Sequence, residues 1–554
     1  MNLMYLAQSG LSSAQYALNV VGNNLTNAYT VGYSRQNIVL GEAGGKTTDN
    51  GFFGYGVQVN GVQRAYDGFI NNQLRNSATD LCALGSRYEQ LKQIDNMLGD
   101  KSNNIANSLN GIFGALEKVS GDPVSMAARQ EALSQFKSTA YQFQTAARTL
   151  NGLEKSTNTQ INQTVDQINT CAKALATVNE AIYKIHTQTG GQPADLLDQR
   201  DMLLDQLSEL VGIQVNENPA TGEVSVALSN GLSLVNGDKF SQLECTPSDA
   251  NPAKLEVSYI DASGNSIRLD EEKLSTGALG GLFKFRNEDL VSARDQLNQL
   301  ALQMGNRFNE VNRAGWDIDG VQGGDIFKLA DPVALVNRNN GGDATLSIRF
   351  SEDDKGNKEI AKVKAQDYSV VYQGPGANDW LITDSSGKQI VPDISADGEL
   401  SFDGIVIKPQ GTPEPGDSFI FNPTSGAAEK IEVALKSGDQ IAASGSDDVE
   451  GESNDVNIKD MIAIKDQALI GKATLTEAYA SLVSSVGSST SSLKGDFTAA
   501  GSVYKDYESQ KQSVSGVDPM EEYMRLQMYS QYFQANAQVL QTATTIFDSL
   551  LSIR

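Results

Sequence analysis

Any acid–base or nucleophilic chemistry in this chain would centre on very few residues. There is one histidine, His186, and there are three cysteines, Cys82, Cys171 and Cys245. Serine–histidine or cysteine–histidine catalysis needs an imidazole beside a nucleophile, whereas His186 falls at the end of a helical pattern, where a solvated side chain is expected. The cysteines are widely spaced and form no C-x-x-C pair, so they read as small buried hydrophobes, not as zinc ligands or a disulfide. "DIDGVQGGD" (Asp317 to Asp325) and "DDKGNKE" (Asp353 to Glu359) have the composition of calcium loops. Neither has EF-hand ligand spacing, and ordinary turns are expected. No glycine-rich loop ends in Gly-Lys-Ser/Thr, and no His-Glu-x-x-His occurs. Carboxylates are plentiful enough for a paired-carboxylate hydrolase, but no pair stands out. Asn24-Leu25-Thr26 fits a glycosylation acceptor, yet it lies where a helix pattern ends, so capping and turning are expected of it. The reading is a chain with no catalytic, cofactor or metal site.

Bulk properties narrow the partners. With 554 residues the chain exceeds one core, and roughly three to four domains are expected. A formal charge of −25 argues against nucleic acid or anionic membrane as a partner, since both require a basic surface. No apolar run approaches the ~20 residues of a membrane span, so no membrane insertion is expected. The start lacks a basic n-region, an apolar h-region and a small-residue cleavage site.

The elements begin with a one-faced helix. Met4, Ala7, Leu11, Ala14, Leu18, Val21 and Leu25 alternate three and four apart, an a/d seam in which small residues invite close approach by another helix. The far end repeats the design with Leu526, Ser530, Phe533, Ala537, Leu540, Thr544, Phe547 and Leu551, after an Asp518 N-cap and Pro519 at the first helical position. Between them, "FFGYGVQVNGVQRAYD" alternates and carries the hairpin signal Asn60-Gly61. Helical periodicity runs on to about Val211, short strands follow from Ile213, helix resumes near Leu279, and strands dominate from Pro332 to Lys436. The predicted fold is mainly α with inserted β domains: terminal helices pairing as a coiled coil, a helical bundle, and a β-sandwich or barrel-like outer domain. The expected boundaries are 1–66 with 510–554 (terminal helices), 67–212 with 271–331 and 455–509 (helical), 213–270 (small β), 332–436 (outer β) and 437–454 (acidic linker).

The stretch "SGLSSAQYALNVVGNNLTNAYTVGYSRQ" resembles the N-terminal signature of the bacterial flagellar axial family of rod, hook and hook-associated proteins. There an apolar helix leads into Asn-Asn-(Ile/Leu)-x-Asn and then Thr-x-Gly-Tyr, here Asn23, Asn24, Leu25, Asn27, Thr30, Gly32 and Tyr33. The Ser34-Arg35-Gln36 continuation is similar to the branch that joins hook to filament, as are "YEQLKQIDNML", "LLDQRDMLLDQLSELVGI", "TGALGGLFKFRNEDL" and the closing "SGVDPMEEYMRLQMYSQYFQANAQVLQTATTIFDSLLSIR". The likeness is weak over Pro332 to Lys436.

It implies a secreted, non-enzymatic subunit at the hook–filament junction, exported by the flagellar type III apparatus. A cytoplasmic chaperone would hold the C-terminal helix beforehand. Copies of the chain would assemble with hook protein and a second junction protein into a short tube lined by the terminal helices, with no cofactor. Subunit contacts would fall on Met4, Ala7, Leu11, Ala14, Leu18, Val21 and Leu25, and on Leu526, Phe533, Ala537, Leu540, Phe547 and Leu551. Asn23, Asn24, Asn27, Gly32, Tyr33, Arg35 and Gln36 would shape the turn, the asparagines by capping and left-handed geometry. A hook or distal-rod subunit is the alternative within the family; a carbohydrate-binding or hydrolytic protein carried on the tube is the alternative outside it.

Overall fold

A computed structural model describes residues 2–49, 51–100, 104–218, 220–261, 263–354, 356–376, 379–447 and 454–552. The chain opens with helix α1 (Asn2–Thr26) and four short strands, β1 (Gln36–Glu42), β2 (Gly45–Thr48), β3 (Gly51–Gly54) and β4 (Val57–Arg64). β1 pairs antiparallel with β4, and β2 with β3. Asn60-Gly61 is therefore not the hairpin turn that the sequence suggested. It lies inside β4, where Val39 pairs with Gly61 and Leu40 with Val59, so Asn60 is the extra residue of a bulge. The reversal falls instead between Thr48 and Gly51.

The helical body follows. It comprises α2 (Gly68–Leu98), α3 (Ile105–Gly121), α4 (Met126–Thr189) and α5 (Ala194–Leu210). The first three starts are capped: Asp67 accepts from the amides of Phe69 and Ile70, Asn104 from Asn107, and Ser125 from Ala128. At 64 residues α4 is roughly 95 Å long and serves two cores in turn. Its first half packs Leu133, Phe136 and Phe143 with α3 and the later helices; Phe136 meets Phe308 and Phe327 edge-on. Its second half packs Ile161, Val165, Ile168 and Leu175 under the small strands β5 (Ile213–Glu217), β6 (Val224–Leu228), β7 (Ser233–Asn236), β8 (Lys239–Phe240), β9 (Gln242–Pro247), β10 (Leu255–Ile260) and β11 (Ser266–Arg268). Helix α6 (Gly277–Lys284) then runs through a π turn (Phe285–Asp289) into α7 (Leu290–Ala314).

The outer strands are β12 (Phe327–Lys328), β13 (Leu335–Val336), β14 (Thr345–Phe350), β15 (Tyr368–Tyr372), β16 (Trp380–Asp384), β17 (Gln389–Ile390), β18 (Asp393–Ile394), β19 (Leu400–Phe402), β20 (Ile405–Gln410), β21 (Ser418–Phe421) and β22 (Glu432–Val433), the last preceded by the short helix α8 (Ala427–Lys430). Two sheets form, in the orders β13-β21-β15-β16-β17 and β14-β20-β19-β18, and share one apolar core. Among the described residues neither closes on itself, so the outer unit is a pair of open sheets and not a barrel. "LSFDGIVI" is a hairpin, turning on Asp403-Gly404 with both residues at positive φ.

The segment read as an acidic linker is anchored over its first part: Ile441, Ala442 and Ala443 are buried, and Ala442 N donates to Asn312 Oδ1 at 2.8 Å. Residues 448–453 of that run lie outside the described residues. The chain closes with α9 (Val456–Ala463), α10 (Leu475–Ser515) and α11 (Pro519–Ser552). Asp518 Oδ1 accepts from Met520 N at 2.8 Å, which starts α11 at Pro519.

Candidate assembly interface

The two terminal helices lie side by side and antiparallel. Asn24 near the end of α1 bonds Glu522 near the start of α11, while Gly10 sits against Asn536 an equal step further along both. A Cβ on Gly10 would fall 2.3 Å from Asn536 Oδ1, so only glycine allows this approach.

The predicted seam positions divide by burial on each helix. Ala7, Ala14 and Val21 are buried, Met4, Leu11 and Leu18 half-buried, and Leu25 exposed. The line of lowest exposure continues through Gly10, Ser13, Ala17, Val20 and Asn24. On α11, Leu526, Ala537 and Leu540 are half-buried and Phe533, Phe547 and Leu551 exposed, whereas Glu522 and Ala543 are buried. Small and polar residues thus take the inner line, and the bulky apolar ones flank it.

The axial motif is built around Asn24, which is fully buried. Its Nδ2 donates to Gln36 O (2.8 Å) and Glu522 Oε2 (3.0 Å); its Oδ1 accepts from Gln36 N (2.9 Å) and the Tyr33 hydroxyl (2.8 Å). One amide side chain therefore ties the end of α1 to the first residue of β1, to Tyr33 and to α11, with every donor and both acceptor sites used. This corrects the capping expectation for Asn24. Asn27 does act locally, donating to Asn23 O and Asn23 Oδ1, each at 3.0 Å. None of these asparagines takes a left-handed backbone; Gly32 does, at φ +81°, and a Cβ there would lie 2.4 Å from Met202 Sδ. Burial, then the negative charges of Asp198 and Glu522, push the Tyr33 hydroxyl up to about 12. Arg35 N donates to Ser515 O at 2.8 Å, and its guanidinium pairs with Glu521 at 3.2 Å. Gln36 holds both backbone bonds to Asn24 described above.

Helix α5 anchors the motif to the body, which periodicity did not reveal. Asp198, Asp201 and Asp205 lie along one face at helical spacing. Asp198 accepts from Ser34 N (3.0 Å) and pairs with Arg64 at the end of β4 (3.0 Å). Asp201 joins Arg64 (2.6 Å) to Arg75 of α2 (3.2 Å), and Asp205 joins Arg75 (2.6 Å) to Lys511 of α10 (2.9 Å). The D-x-x-D-x-x-x-D spacing was legible; its basic partners, scattered from Arg64 to Lys511, were not.

The uncovered faces of the pair mix large apolar side chains with uncharged polar ones. Tyr5 and Tyr16 on α1, Met520, Met524, Met528 and Ile546 on α11, and Phe52 and Phe53 on β3 are exposed. α1 carries no charged residue, and α11 carries none from Leu526 to Phe547. On a chain of net charge −25, a charge-free surface with this many exposed large apolar side chains stands apart from the rest. Among the described residues, no group of three or more His, Cys, Asp or Glu side chains is placed to hold a metal ion, and no helix is long and apolar enough to cross a membrane.

Comparison with known proteins meets this geometry at both ends and in the middle. The flagellar hook-associated protein FlgK helical domain matches residues 91–327 and the D2-like domain of flagellar hook-associated protein 1 matches 335–423. The flagella basal body rod protein family matches 4–33, and the flagellar basal body rod FlgEFG C-terminal family 508–553. Flagellar hook-associated protein 1 of Salmonella typhimurium is 38% identical over 561 residues, and that of Escherichia coli K12 36% identical over 559, in both cases covering 100% of each chain. The structure of the flagellar hook junction protein FlgK from Burkholderia pseudomallei aligns with a TM-score of 0.70 at 25% identity, over 80% of this chain and 100% of that one.

Proposed function

The chain belongs to the flagellar hook-associated protein 1 family, and from that premise we propose that it is an extracellular, structural subunit joining hook to filament. Its role is to be built into the flagellar axis beside other hook and rod components, without catalysis. The terminal pair α1/α11 is the assembly element, and repeated copies of it form the inner wall of a short tube, in contact with hook protein below and a second junction protein above. The bulky residues that flank the inner line, Leu11, Leu18, Leu25, Phe533, Phe547 and Leu551 among them, meet neighbouring copies. Export passes through the flagellar type III apparatus, after a cytoplasmic chaperone has held α11. The five segments set out from sequence serve as its domains, with the open outer sheets facing away from the axis.

One observation carries this reading: α11 packs along α1, and the pair leaves large apolar side chains exposed on helices that carry no charge over α1 and from Leu526 to Phe547. Burying one large apolar side chain is worth ~1.5–3 kcal/mol, so several per subunit are enough to drive assembly. The test is complementation of a deletion strain with chains lacking Met1–Gln36 or Asp518–Arg554, followed by electron microscopy. Both truncated chains should keep the cooperative unfolding of the body and fail to occupy the hook tip. Normal filaments from either would reject the assembly role.

A further inference from the structure

The outer sheets meet the body along a cleft of about 660 Å³. Within it Asp295 of α7 and Asp367, just before β15, both accept from one nitrogen, Asn422 Nδ2, at 3.1 Å each. One carboxylate belongs to the body and the other to the outer unit, so the amide spans the contact between them. The cations around the pair have other commitments. Arg294, beside Asp295, is held by Glu154 of α4 at 2.7 Å; Arg286 of the π turn is held by Glu271 at 2.6 Å, and Lys254 lies 3.8 Å from the same Glu271. Glu429 and Lys430 of α8 complete the charged lining, Glu429 accepting from Asn151 at 3.0 Å.

We propose that Asp295 and Asp367 form a pH-responsive latch that seats the outer β unit on the body: closed while Asp295 holds a proton, loosened when both carboxylates are charged. Burial foremost, then the charge of Asp367, push the Asp295 carboxyl up to about 7, against the smaller pull of Arg294 and Asn422. With the outer unit lifted away, Asp295 would titrate as an ordinary aspartate near ~4. The seated state therefore binds the extra proton between these values, and its advantage is lost as pH rises from about 4 towards about 7. Neutral bonds elsewhere in the same contact, Ala428 N to Asn298 Oδ1 at 3.0 Å and Gln303 Nε2 to Ile360 O at 2.9 Å, do not titrate, so the loosening is local to the Asp295 edge.

The test is hydrogen exchange on the full chain at about pH 5.5 and about pH 8, corrected for intrinsic exchange, read in peptides covering Asp367–Tyr368 and Asn422–Ser425. Opening should be about thirtyfold more frequent at the higher pH, and Asp295→Asn should abolish the difference by keeping the latch closed at both. Asp367→Asn, on the more exposed side, should shrink the difference, since the burial of Asp295 remains, and serves if the first variant does not fold. Equal opening of the wild-type chain at the two pH values, or an unchanged pH response in both variants, would overturn the latch.

Discussion

Asn24 shows how much one side chain settles. Replacing it by alanine strands the N–H and C=O of Gln36 and one oxygen of Glu522 in a buried site, and each abandoned group costs about 1–3 kcal/mol. Asn24→Ala should therefore lower the denaturant midpoint of α1/α11 docking by the equivalent of about 3 kcal/mol. Asn24→Asp should do worse at neutral pH and recover partly on acidification, because it sets a second carboxylate beside Glu522. The sign for Tyr33 is the same, in a more alkaline range. Its hydroxyl stays protonated up to about 12 beside Asp198 and Glu522, so the docked motif is fully stable below the ordinary tyrosine range of about 10 and loses stability as pH climbs from there. In alkaline titration followed by circular dichroism, Tyr33→Phe should lack that loss. The importance of Asn24 was legible in the sequence through its motif. Its mechanism was not, because Glu522 lies at the other end of the chain.

At the scale of the element, helix periodicity identified α1 and α11, and the buried line between them runs through part of the predicted seam and part of the row beside it. An a/d reading follows spacing and takes small and large residues alike, while two helices that approach closely use the smallest. Gly10, Ala17 and Ala543 took the inner positions, leaving Leu25, Phe533 and Phe547 on the flanks. Gly10→Leu should separate the helices, lowering the protection of α1 amides in hydrogen exchange while the body unfolds at its normal midpoint. Helix α5 has a different vulnerability. Asp201 lies between Arg64 and Arg75, all with side chains at most 10% exposed, and removing one partner of a buried pair costs about 3–5 kcal/mol. Asp201→Ala should show that loss in urea unfolding of the whole chain, since α5 ties the axial motif to α2.

Across the whole molecule, α4 carries two cores along one rod and the outer sheets sit to one side of it, so body folding and tip assembly can be damaged separately. Phe547 is exposed and Leu540 half-buried. Phe547→Asp should leave the stability of the isolated chain within about 0.5 kcal/mol yet abolish occupancy of the hook tip. Leu540→Asp should impair both docking of α11 on α1 and assembly. Thermal unfolding of the purified chain beside electron microscopy of complemented cells separates the two effects.

Order and type of the long elements were written in local patterns: the seams of the terminal helices, the caps Asp67, Asn104 and Ser125, the alternation of β14 to β16, and the signature from Asn23 to Gln36. These depend on neighbours a few residues away, which a sequence displays directly. Tertiary structure decided the partners. It gave Asn24 its bond to Glu522, set the acidic face of α5 between Arg64 and Lys511, turned Asn60-Gly61 into a bulge, and drew Ile441 to Ala443 into the core. The physical reason is that hydrogen bonds and ion pairs of this kind act over a few ångströms in space, between residues that the chain holds hundreds of positions apart.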